Sequence, residues 1–233
     1  MNEIIADKKV IFFDMGNTID YPASGDWWFT NKFNEIVGDR VKKCSQEQIH
    51  QAMEAGVKYL NDNHLISGEN AEEEEYRQLL FFYRIISDEL ELHMTEDELT
   101  CAARDRAFNM DNYIIFPDAK KVITMLSKTH RLGIISDTWP SIDLQLRTFD
   151  IKQYFSFTTY SFELGVFKPD RRMFLDALNK CGCDASETVF IDDIPGNLDG
   201  AAACGITPIL ISAVPGRDFE TQYTKIHSLS ELL

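Results

Sequence analysis

The sequence predicts an α/β protein, a doubly wound parallel sheet interrupted by an inserted helical unit, and three observations carry that prediction. Val10-Ile11-Phe12-Phe13, Leu132-Gly133-Ile134-Ile135 and Val189-Phe190-Ile191 are short apolar runs suited to strands buried on both faces. Each runs directly into polar groups, at Asp14, Ser136 and Asp192-Asp193. Beyond residue 112 strand and helix patterns alternate, the succession that winds a parallel sheet. Between residues 21 and 111, by contrast, every strong signal is helical. The expected division is a core domain from residues 1–20 and 112–233 and a helical domain from residues 21–111.

Taken in order, the first strand ends at Asp14, and Tyr21-Pro22-Ala23-Ser24-Gly25 has the composition of a loop. Ser45 and Gln48 form a capping-box pattern, followed by Ile49, Met53, Val57 and Leu60 on one helix face. Glu72 to Glu75 read as the solvated first turn of a helix that then becomes apolar on most sides, and Thr95 and Glu98 repeat the capping box. Trp27-Trp28-Phe29 fit a packed aromatic hinge better than a stacking platform for a ligand. Pro117-Asp118 opens a helix with Val122, Met125, Leu126 and Thr129 on a shared face, leading into the second core strand. Helices over 140–149, 170–181 and 197–204 then alternate with strands over 155–160, 188–191 and 208–211, and a terminal helix is expected over 228–233. Pro169 suits the first turn of the 170–181 helix.

Composition narrows the function. A net charge of −15 over 233 residues disfavours a nucleic-acid partner, which needs lysine and arginine to neutralise phosphates, and disfavours an anionic membrane surface. Five cysteines form no paired framework, which fits a reducing compartment, and no Cys or His pair stands at zinc-ligand spacing beside Cys181 and Cys183. Residues 1–9 are short and contain acids, unlike a signal peptide, and nowhere do about eighteen apolar residues run together. A cytoplasmic protein is expected.

The strand ends hold the chemistry. An unpaired carboxylate at the edge of an apolar sheet is costly, so Asp14 is read as a working residue. Asp192 and Asp193, adjacent at another strand end, are hard to keep ionised together without a cation. Parallel sheets open their ligand crevice at this end, and Lys168, just before Pro169, adds a positive charge.

In this order the residues resemble the haloacid dehalogenase superfamily of hydrolases, whose four motifs are matched by Asp14 to Thr18, Ser136, Lys168 and Asp192-Asp193 over nearly the whole chain. The resemblance implies a Rossmann-like core with an α-helical cap, inserted between the first and second motifs, that closes over the active site. It implies Asp14 as nucleophile, forming an aspartyl intermediate, with Lys168 as its catalytic cation. A carboxylate suits that role because it needs no deprotonation at neutral pH. It implies a magnesium ion held by Asp14, the carbonyl of Gly16 and Asp193, with Asp192 acting on it indirectly. Phosphate contacts fall to Ser136, Asp137, Asn17 and Lys168. Asn197 stands where many relatives carry another acid, and either supports the metal site or starts a helix.

One position departs from the family. Phosphatases of this kind usually carry a second Asp two residues after the nucleophile, as general acid and base, and here that residue is Gly16. Losing such a group lowers the rate by about 10²–10⁴. Asp137 is a weak candidate for a displaced acid. The expected function is a magnesium-dependent phosphohydrolase acting slowly on a small phosphorylated metabolite. The alternatives are a phosphate-ligand or partner-binding protein with little turnover, haloacid cleavage, which the Asp192-Asp193 pair disfavours, and phosphonate cleavage, for which Lys32, Lys42, Lys43 and Lys58 offer no distinguished lysine.

Overall fold

A computed structural model describes residues 4–233. The chain forms two compact units, one built from the segment ending at Tyr21 together with Ile114–Leu233, the other from Pro22–Tyr113.

In chain order the elements are β1 (Val10–Phe13), β2 (Asp20–Pro22), α1 (Asn31–Val37), α2 (Gln46–Asp62), α3 (Ala71–Glu89), α4 (Glu96–Phe108), β3 (Tyr113–Ile115), α5 (Ala119–Leu126), β4 (Arg131–Ser136), α6 (Ile142–Thr148), β5 (Phe155–Tyr160), α7 (Ser161–Leu164), α8 (Arg171–Cys181), β6 (Thr188–Asp192), α9 (Pro195–Ala203), β7 (Thr207–Ile211) and β8 (Thr224–Ile226). Six strands make one parallel sheet in the order β5-β4-β1-β6-β7-β8, while β2 and β3 pair as a separate ribbon where the chain leaves and re-enters the core. After β1 the chain adds β4 and β5 on one side, then crosses back to place β6 on the other. The winding therefore reverses between β1 and β6, and a doubly wound sheet has its crevice at such a reversal.

All four residues of β1 are buried, as a central strand requires. On one face Phe12, Phe190 and Leu210 pack with Met173, Phe174 and Ala177 of α8 and Leu198 and Ala201 of α9. Burying each large apolar side chain contributes about 1.5–3 kcal/mol, so this layer fixes the sheet against its helices.

Several elements differ in detail from expectation. In α5 the buried residues are Ala119, Val122, Ile123 and Leu126, while Met125 is exposed, because the true stripe follows positions 119, 122, 123 and 126 around the helix. The helix expected at 170–181 starts at Arg171 with Asp170 as its cap, so Pro169 stands before the cap and not in the first turn; the Lys168–Pro169 peptide is cis. The chain ends in a 3₁₀ turn (Leu229–Leu232), and β8 adds an edge strand that three residues could not announce by period.

In the helical unit both capping boxes form, with Ser45 and Gln48 bonding reciprocally, and Thr95 and Glu98 likewise. The buried face of α2 is Ala52, Gly56 and Leu60, with Ile49, Met53 and Val57 only flanking it. Small residues face inward there because the Phe82 ring of α3 comes close. The acidic opening of α3 is solvated only in part, since Glu75 is fully buried. Trp28 packs on Phe82 at 4.8 Å, and Arg106 donates to the Trp27 carbonyl while lying over the Trp28 ring. Lys32, Lys42 and Lys58 are surface residues paired with Glu35, Asp39 and Asp62. Among the described residues no helix is long and apolar enough to cross a membrane.

Candidate active site

Register brings the strand-end residues level. Phe13 pairs with Ile191 of β6 and Ile134 of β4, and the Asp14 amide donates to the Ile191 carbonyl at 2.9 Å. One step on, Asp14 lies beside Asp192, with Ser136 one residue beyond on β4.

Lys168 joins the two strands. Its ammonium donates to Asp14 Oδ1 at 2.7 Å and to Asp192 Oδ2 at 2.8 Å, with only 2% of the side chain exposed. It also lies 5.4 Å from the centre of the Phe190 ring, which favours a cation. Burial works to lower its pKa, but Asp14, Asp192 and Asp137 outweigh that and hold it above the ordinary lysine value. Asp137 fixes the segment from the other side, its Oδ1 accepting the Lys168 backbone N–H at 2.9 Å. Burial raises the Asp137 pKa against the opposing pull of Lys168.

Asp192 is fully committed. Its Oδ1 accepts from the Ile194 amide at 2.7 Å, its Oδ2 from Lys168, and Asn197 Nδ2 reaches both oxygens at 3.1 and 3.0 Å. Asn197 thus does more than open a helix: it holds this carboxylate in place.

Asp14 and Asp193 are less satisfied. Burial pushes Asp14 up to about 8, with Lys168 opposing and Asp192 and Asp193 adding to the rise. Asp193 is pushed up to about 6 by burial and by Asp192, while Arg217, donating to its Oδ2 at 2.8 Å, pulls the other way. Asp193 Oδ1 is buried and no donor meets it in hydrogen-bond geometry, although the Asn17 side chain lies near enough to the carboxylate to pull its pKa down. A buried carboxylate oxygen so placed is destabilising unless a cation meets it.

The donors gathered here suit a hard cation. One oxygen each from Asp14, Asp192 and Asp193 lies within 4.8 Å of the others, and four acids here face two cationic side chains. Hard carboxylate oxygens, an orphaned one among them, and an excess of negative charge fit a magnesium ion.

The loop after Asp14 is tightly wound. The Met15 carbonyl accepts the amides of Thr18 at 3.1 Å, Ile19 at 2.7 Å and Asp20 at 3.2 Å, and Asn17 takes a left-handed φ of 58° that asparagine tolerates well. Gly16 bridges to Asp20, whose buried carboxylate accepts from Gln145. Ser136, 2% exposed, closes β4.

Two contributors escape sequence reading. Arg217 lies in a loop without periodicity, 24 residues from its partner. Gly200 lies where α9 meets Pro169, so close that a Cβ would stand 2.9 Å from the Pro169 carbonyl.

An uncharacterized protein of Saccharomyces cerevisiae matches at 29% identity over 133 residues, 49% of this chain and 44% of that protein, so the chain spans less than half the length of the curated relative it matches. Among solved structures, a 2-haloacid dehalogenase from Pseudomonas syringae pv. Tomato DC3000 superposes with a TM-score of 0.64 at 21% identity, covering 97% of this chain and 96% of that one. A HAD phosphatase from Thermococcus onnurineus gives 0.66 at 18% identity, covering 96% and 95%. At such identities the likeness establishes the fold and leaves the substrate class open between two chemistries. What is common to both is settled by the sequence itself: a model of haloacid dehalogenase-like hydrolases matches residues 8–205, most of the chain, and the protein belongs to that family.

Proposed function

We propose that the protein is a magnesium-dependent phosphohydrolase that acts on a small phosphorylated metabolite through an aspartyl-phosphate on Asp14. The observation that carries this reading is the Asp14 carboxylate at 2.7 Å from a buried Lys168, beside an Asp193 oxygen that no donor meets in hydrogen-bond geometry. Asp14, the Gly16 carbonyl and Asp193 would hold the ion, which supplies positive charge to the phosphoryl oxygens when bound.

The chain's own residues do the rest. An Asp14 oxygen attacks phosphorus and the leaving oxygen departs, giving an acyl phosphate that water then hydrolyses. Lys168, with the charge of a bound ion beside it, would hold Asp14 ionised at neutral pH against the effect of burial and offset the repulsion between nucleophile and substrate, and Asp137 and Asn197 keep Lys168 and Asp192 in position. Ser136 and the amides after Asp14 are the phosphate donors in this reading. With glycine at position 16, no positioned acid protonates the leaving oxygen, so substrates with good leaving groups react best. The setting is cytoplasmic, a reading supported by five free thiols.

The test compares aryl and alkyl phosphates with magnesium and with chelator, for wild type and Asp14→Asn, and follows halide release from 2-haloacids in parallel. Slow, magnesium-dependent aryl phosphate turnover that Asp14→Asn abolishes is the expected result. Halide release without metal would replace the reading by dehalogenation. Gly16 favours one second reading, a protein that binds a phosphate ligand with little turnover; phosphate bound in the presence of magnesium, with no hydrolysis of either ester, is its signature.

A further inference from the structure

Two cations touch the acids of this site, and they are held in opposite ways. Lys168 is 2% exposed and bonds two carboxylates. Arg217 is 41% exposed and reaches the site through one nitrogen, to Asp193 Oδ2 at 2.8 Å, leaving Oδ1 without a donor in hydrogen-bond geometry. The first is a fixed part of the sheet end. The second meets a buried carboxylate from a side chain that is itself open to solvent on its far side.

The mounting of Arg217 agrees with a side chain that can leave while its backbone stays. Gly216 takes a φ of 81°, the Arg217 amide closes a turn onto the Val214 carbonyl at 3.1 Å, and neighbouring Asp218 is tied to Ser212 at 3.2 Å and to Lys225 of β8 at 2.6 Å. The loop is thus anchored on both sides of the arginine.

We propose that Arg217 is a displaceable counter-cation for Asp193, its charge opposing a divalent ion at that carboxylate and thereby setting the affinity of the site. The proposal rests on the metal reading of the same carboxylates. While the pair is closed Arg217 partly neutralises Asp193; with the guanidinium swung out, the carboxylate would offer its full charge to a divalent ion. Apparent affinity is lowered by the fraction of molecules in which the pair is closed.

The test measures Mn²⁺ binding to the 233-residue chain by calorimetry, for wild type, Arg217→Gln, Arg217→Lys and Asp193→Asn, with circular dichroism to verify folding. Arg217→Gln should bind roughly three- to tenfold more tightly, the range expected if the closed pair holds most of the population. Arg217→Lys should fall near wild type, and Asp193→Asn should weaken binding severely. If wild type binds and Arg217→Gln binds no tighter, the competition is refuted and the metal site stands. If neither wild type nor Arg217→Gln binds Mn²⁺, the metal reading falls and this proposal with it.

Discussion

Gly16 separates a slow enzyme from an inert one. Position 16 has no left-handed backbone angle to protect, so an aspartate there is compatible with the main chain. The next residue, Asn17, does have one, at 58°, which fixes the turn of the loop just beyond that position. Gly16→Asp is therefore expected to raise turnover of alkyl phosphates, by up to about 10²–10⁴, and to narrow the difference between alkyl and aryl esters. The double change Gly16→Asp with Asn17→Gly controls for the aim of the side chain. Steady-state rates on a matched pair of esters decide the matter; if no variant turns over either ester while phosphate still binds with magnesium, hydrolysis must be given up. Single residues of this kind were legible in the sequence because a strand end is a place where an acid has no structural reason to stand. Asp14, Asp192 and Asp193 fall within ligand distance of one another, and Lys168 bonds two of them. Arg217 was not legible, since nothing local distinguishes it from a surface arginine on a loop.

Elements were readable in proportion to how local their causes are. The capping boxes at Ser45 and Thr95 depend on four consecutive residues, and they form as the pattern says. The inner face of α2 depends on α3, and there the large residues Met53 and Val57 gave way to Ala52 and Gly56 because the Phe82 ring fills the space. Close approach decides the inner face of α9 as well. A Cβ on Gly200 would meet the fully buried Phe174 ring at 2.7 Å, Pro169 Cβ at 2.8 Å and the Pro169 carbonyl at 2.9 Å. Pro169 cannot retreat without carrying Lys168, its neighbour in the chain. Gly200→Ala gains about 1 kcal/mol of helix propensity and loses about 1–3 kcal/mol to overpacking, so a net loss of up to about 2 kcal/mol is expected. Turnover should fall further than stability explains, because the lysine moves relative to Asp14. Urea midpoints and rates measured on the same preparations test this; unchanged turnover would show that the contact does not position Lys168.

For the molecule as a whole, the uncompensated charge of the site should appear in how stability depends on pH. Asp14 and Asp193 ionise in the unfolded chain near the ordinary value of 3.8, whereas in the folded protein burial pushes them up to about 8 and about 6. Between these limits the unfolded chain has released protons that the folded one still binds. Stability present below pH 4 is therefore lost as pH rises through 6 and then 8. Asp14→Asn removes the larger contribution. Without divalent metal the variant should gain on wild type steadily from about pH 4 to about pH 8, and the difference should level off above that. Lys168 still has Asp192 and Asp137 beside it in the variant, so it does not become an unpaired buried cation. Because the chain forms two units that need not unfold together, the measurement should follow hydrogen exchange of the β1 amides, Val10 to Phe13, in urea with chelator present. A difference that stays flat across this range would mean that Asp14 is already ionised in the metal-free protein, held so by Lys168, and that the site requires less added positive charge than its four acids imply.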